Sequence, residues 1–190
     1  MAWTVPKWPR RGFLKDRRGG VMVEFAFMMP VLVMVMLAGV DVVRFAMLQQ
    51  KLNRAAVTMA DLVSQYTSMS ETQLSHLFLA VEPVIAPVGL GGNGRVIVSS
   101  ISKADAASPI LVDWQRAGAG TATATSNFGT QGGPATLPAG FTVGDGENLI
   151  VAEVFYDFTP LLYPVLVPPR RVEHHAMFRP RFGVLSALNP

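Results

Sequence analysis

The chain opens its folded part with one long apolar run. Residues 21–40 read VMVEFAFMMPVLVMVMLAGV, with Glu24 as the only charge. As a helix, such a run spans about 30 Å, the thickness of a bilayer's hydrocarbon core. A buried core helix would need polar faces or a large surrounding protein, and a chain of 190 residues offers neither. A cleavable secretory signal has a shorter apolar stretch, about 7–15 residues, that ends in a small-x-small site. This run passes instead into Asp41 and Arg44. The pattern predicts a retained single span.

Beyond the span the apolar positions become periodic. Phe45, Leu48, Leu52, Ala55, Met59 and Leu62 recur at spacings of three and four. Arg44, Gln49, Gln50, Lys51, Asn53 and Arg54 lie off that stripe. This is one face of an amphipathic helix. No glycine or proline interrupts residues 40–65, so the span is predicted to continue as a helical stalk. The stripe is short for a coiled-coil seam, which sustains more heptads. Its expected use is a surface on which a small domain packs, with partner-helix pairing as the minority alternative.

Ser70-Glu71-Thr72-Gln73 has capping-box spacing. Leu74, Leu77, Phe78 and Val81 then mark one face of a second helix that ends near Pro83. Four β-branched or aromatic stretches follow, at residues 95–101, 109–115, 148–158 and 172–178. Residues 117–140 are rich in Gly, Ala and Thr and poor in large apolar side chains. They predict a mobile surface loop. The fold class is α+β: a transmembrane helix running into a stalk, a second short helix, and a small antiparallel sheet. The expected organisation is a basic leader at 1–19, a span at 20–41, a stalk at 42–66 and an outer domain at 67–190.

Composition agrees with one segment too apolar for water. Half the residues are apolar and 15% are charged, against about a quarter charged in soluble domains. The absence of cysteine excludes disulfides, thiolate metal sites and cysteine nucleophiles. The net charge of +3 is unevenly spread. Lys7, Arg10, Arg11, Lys15, Arg17 and Arg18 face only Asp16 in residues 1–20, a local charge of +5, which leaves −2 for the rest. Nucleic-acid binding is disfavoured, because a binding domain carries its positive charge on a folded face. A basic flank before a span places the N-terminus in the cytoplasm and the outer domain beyond the membrane. Arg10-Arg11-Gly12-Phe13-Leu14-Lys15 also looks like a twin-arginine export signal. No cleavage site follows the apolar run, and arginine pairs are common in basic leaders.

The membrane edge holds the most specific pattern. Arg17-Arg18-Gly19-Gly20 is followed by Val21-Met22-Val23-Glu24-Phe25-Ala26-Phe27. An acidic side chain at mid-bilayer costs about 2.5–3.5 kcal/mol. Near the interface Glu24 could simply snorkel out. If the chain is cut after Gly19, Glu24 becomes the fifth residue from a new amine at Gly20 and has a counter-charge available.

This stretch resembles the N-terminus of TadE-like pilus assembly proteins, the pseudopilins of the tight-adherence (Tad) system. Gly19, Val23, Glu24, Phe25, Ala26 and Pro30 carry the likeness, which is firm over about residues 15–65. It continues weakly in residues 153–160 and 178–181. The resemblance implies processing by a prepilin peptidase at the Gly19-Gly20 doublet, on either side of the second glycine; larger TadG-like relatives keep their leader. It implies that Glu24 and Phe25 set subunit register. Pro30, which removes the bond to the Ala26 carbonyl, would bend the helix for packing or be merely tolerated. The implied partners are the membrane, other pilin-like subunits of the Tad system and the prepilin peptidase. The implied location is the bacterial inner membrane, single-pass, with the C-terminal domain periplasmic or extracellular.

Little in the outer domain reads as chemistry. Residues 89–94 satisfy GxGxxG, but they precede a strand where a dinucleotide site needs a helix, so they predict a turn. His174 and His175 are adjacent on a strand and point to opposite faces; with only His76 to add, no metal site is expected. Asp145, Glu147, Glu153 and Asp157 are carboxylates without a second set of positioned groups for acid–base chemistry, and Glu153 and Asp157 are expected on a partly exposed face. No Ser/His/Asp arrangement emerges. Neither a cofactor nor a small-molecule substrate is expected. The favoured function is a non-enzymatic minor pilin of a Tad (Flp-type) pilus for surface adherence. The alternative is a bitopic membrane protein whose outer domain binds a partner or a sugar.

Overall fold

The computed structural model describes residues 20–161 and 167–189; the leader, Gly19 included, lies outside them. Span and stalk are one helix, α1, over Gly20–Ser64. Its 45 residues extend about 68 Å at 1.5 Å per residue. Pro30 lies inside it, and the helix is assigned on both sides. The last turn tightens through Gln65 and Tyr66 amides on the Leu62 and Val63 carbonyls. The Arg181 amide bonds the Ser64 carbonyl at 3.1 Å, and its guanidinium pairs with Asp61 at 2.9 Å. The C-terminal segment thereby satisfies the helix end that α1 itself leaves open.

A two-residue strand, β1 (Met69–Ser70), leads into α2 (Glu71–Ile85). The capping box is formed in both directions: the Gln73 amide donates to Ser70 Oγ and the Ser70 amide to Gln73 Oε1. The helix runs two residues past Pro83. Four longer strands follow: β2 (Gly94–Ser102), β3 (Leu111–Gly118), β4 (Asn148–Phe158) and β5 (Arg170–Phe178). They form one antiparallel sheet in the order β3-β2-β4-β5. A two-residue β6 (Leu188–Asn189) pairs in parallel with β1. The α+β class and the four main strands agree with the sequence patterns. The β1–β6 bridge was not anticipated.

Alternation sorts the sheet into two faces. Val96, Val98, Trp114, Ile150, Ala152, Val154, Val172 and Ala176 join the helices in the main core. From α1 come Leu48, Leu52, Ala55, Met59 and Val63, with Phe45 half-buried beside them. The stripe therefore packs within the chain, as its length implied. Leu62 is only half-buried and Val63 takes the last inward position. At the far edge α2 lies close over β3: a Cβ on Gly118 would sit 2.5 Å from the Phe78 ring.

The other face corrects two expectations. The segment between β3 and β4 has no regular structure, but it is not without anchors. Phe128 and Val143 are buried against Ile101, Val112, Leu149 and Val151 in a second core. Gly120, at φ +129°, packs where any Cβ would meet the Gly94 carbonyl at 2.2 Å. Two large apolar residues suffice because the sheet beneath supplies the rest of the core. Glu153 is consequently 2% exposed, not on a partly solvated face. Asp157, of the same parity, stays in solvent and pairs with Arg171 at 2.7 Å.

Candidate functional site

The first helix changes character sharply along its length. Residues 20–36 are all exposed, and among the described residues nothing covers Phe25, Phe27, Met28, Val31 or Val35. Burial begins at Ala38 and recurs at Asp41, Leu48, Leu52, Ala55 and Met59. Among the described residues nothing buries the apolar half, whereas the folded domain buries one face of the amphipathic half. An apolar helical surface of this length left bare in water is a large unfavourable area. Among the described residues α1 is the one helix long and apolar enough to cross a membrane.

Gly20 is the first residue of α1. Glu24 and Phe25 stand on the bare stretch, both exposed. With 3.6 residues per turn, Gly20, Glu24 and Phe27 share a face. A carboxylate one turn above the helix start, left exposed by the described residues, is accessible to a neighbouring helix.

The exit from the apolar run is built more elaborately than its sequence suggested. Asp41 is fully buried. Its carboxylate accepts the Leu161 amide at 2.9 Å and lies 3.5 Å from the Arg44 guanidinium. One turn on, the Phe45 ring meets Phe158 edge-on at 5.2 Å and carries the Arg170 guanidinium 4.2 Å above it. The ends of β4 and β5 are so tied to the helix just where the apolar run stops. Read from sequence, Asp41 marks only the end of the span. Its place on the stripe, four residues before Phe45, was the available signal that it faces the domain.

The outer domain's polar clusters are structural. Glu153 accepts the Ser126 hydroxyl and, at 2.9 Å, the Asn127 amide. Burial pushes its carboxyl above the usual carboxylate range, against the pull of those two bonds. Ser126 Oγ also accepts the Phe128 amide at 3.1 Å, so its hydroxyl serves to fix the segment. His175 is registered opposite Glu153 and meets the Phe128 ring edge-on. His174 is registered opposite Val154 on the other face, and burial lowers its pKa. Glu147 pairs with Arg179 and Asp145 with Lys103. Residues 89–94 form a turn with Gly89 and Gly91 at positive φ, leading directly into β2.

Residues 19–60 match the family model described as TadE-like protein. The match starts at the glycine before α1 and stops within its last two turns, so it covers the bare half and most of the packed half. It supports membrane association and a part in a pilus system, since the family is one of pilus components. No curated protein and no solved structure matches the chain.

Proposed function

Because the first helix of this chain is TadE-like, we propose that the protein is a non-enzymatic minor pilin, or pseudopilin, of a Tad pilus used in surface adherence. It is a single-pass protein of the bacterial inner membrane, with the basic leader in the cytoplasm and the α+β domain outside. The observation that carries this reading is the division of α1 into a bare apolar half and a half built into a folded domain. Such a subunit can be stored in a bilayer and packed by its bare helix against others.

In this reading a prepilin peptidase cuts at the Gly19-Gly20 doublet. The new amine on one subunit meets Glu24 of another. At about 4 Å and an effective dielectric near 20 the attraction is about 4 kcal/mol, and desolvation of both ions offsets much of it. The pair's contribution is register, because a neighbour's amine reaches Glu24 at a single axial offset. Phe25 packs beside it, and Pro30 sets the bend of the packed helix.

The test uses the full chain expressed with its cognate peptidase. Glu24→Gln is expected to insert and lose its leader normally but to co-purify poorly with other pilins. Glu24→Asp should fall between. Mature chain length and co-purification are measured for each. Normal assembly of Glu24→Gln would remove the register role, and a wild-type chain never shortened near Gly19 would remove the amine pairing.

A further inference from the structure

We propose that the cavity between α1 and the base of β4 binds a phosphate-bearing anion, supplied by the headgroup of an anionic phospholipid in the leaflet where α1 leaves the membrane. The inference rests on the reading of residues 21–40 as a span.

The cavity has a volume of 420 Å³, within the range of about 300–1,000 Å³ common for small-ligand clefts. Arg44 and Lys51 line it, and no carboxylate does among the described residues. They are seven residues apart, so they share a face of α1. Helical side chains slope toward the N-terminus, so both cationic heads lie below their own Cα atoms and the Lys51 ammonium stands about two turns, roughly 10 Å, above the Arg44 guanidinium. Neither cation is used up within the fold. Arg44 has Asp41 at 3.5 Å, and that carboxylate is shared with the Leu161 amide. Lys51 donates to the Ala86 carbonyl, one of three hydrogens it can give. Tyr156 and Thr159 add hydroxyls to the lining, as donors for phosphate or glycerol oxygens. Met47 and Val88 supply apolar wall.

Height selects the lipid as the source. The apolar run ends at Val40, and Arg44 lies about 6 Å farther along the helix. The headgroup region extends about 5–8 Å beyond the hydrocarbon on each side. Arg44 therefore stands at phosphate depth, with Lys51 above it and the cavity open beside both.

The experiment uses the full chain in detergent micelles. Thermal unfolding is followed while short-chain phosphatidylglycerol, short-chain phosphatidylcholine or inorganic phosphate is added. Phosphatidylglycerol is expected to raise the midpoint saturably, and phosphatidylcholine is not. Arg44→Gln combined with Lys51→Gln should weaken the apparent affinity by at least about tenfold, the loss of one or more charge-assisted bonds. The charge-keeping pair Arg44→Lys and Lys51→Arg should retain the response, which separates charge from any loss of folding. Equal shifts by the two lipids, or an undiminished response in the double glutamine variant, would overturn the site. A full shift with inorganic phosphate alone would overturn the lipid as its source. Alkaline extraction of membranes tests the span separately. A chain that washes off refutes the span, whereas a chain that stays while both lipids act alike refutes only the site.

Discussion

Glu153 shows how a residue's surroundings can reverse what its spacing implies. Its strand parity is readable from sequence, and parity gave the correct face. What covers that face is not readable, because the covering segment has no period and relies on isolated anchors. The resulting burial raises the carboxyl's pKa above the ordinary 4.5. A raised carboxylate pKa means that the folded state binds the proton more tightly than the unfolded chain. This residue's contribution is thus full below the ordinary value and is lost as pH rises through the raised one. His174 acts oppositely: burial lowers its pKa, so it opposes folding as pH falls through about 6.5. A comparison of variants cancels His174. When the full chain in detergent is taken from pH 7 to pH 5, the change in melting temperature should be more favourable for wild type than for Glu153→Gln. Identical changes in the two would show that Glu153 is not desolvated. A second residue tests packing. Gly118→Ala places a methyl against Phe78 and should cost about 1–3 kcal/mol, read as a lower denaturation midpoint.

At the scale of elements, legibility follows periodicity. α1 is visible because its stripe repeats every three or four residues, and α2 because Ser70 and Gln73 complete a capping box. β4 is visible because alternation persists through Asn148–Phe158. The pairing of β1 with β6 is invisible because two residues from distant parts of the chain carry no pattern. The segment between β3 and β4 is invisible in a more instructive way. Its composition is that of a linker, yet Phe128 and the bonds to Glu153 pin it to the sheet. Phe128→Ala should destabilise the domain by about 3–5 kcal/mol. It should also make residues 119–147 the first site of limited proteolysis. In the wild-type chain that segment should resist cleavage while the sheet is folded. Early cutting there in wild type would mean that Phe128 does not hold it.

For the whole molecule, the proposed topology rests on the charge of residues 1–20 and on the one candidate span among the described residues. A reporter fused after Pro190 should be active only outside the cytoplasm, and activity inside would reverse the orientation. The elements of the candidate site were legible unequally. Gly19, Gly20, Glu24, Phe25 and Pro30 form a recognisable run of residue types, whereas the collar around Asp41 depends on Leu161, Phe158 and Arg170, brought together only by folding. That collar and the buried stripe above it have a mechanical consequence. The helix has no swivel between membrane and domain, so its azimuth in the bilayer dictates the compass bearing of the domain. Glu24 precedes Asp41 by 17 positions, which at about 100° per residue places it about 100° around the axis from the covered face. A neighbour that docks on Glu24 therefore approaches the domain from its flank, and a torque applied to either end of the subunit is delivered to the other.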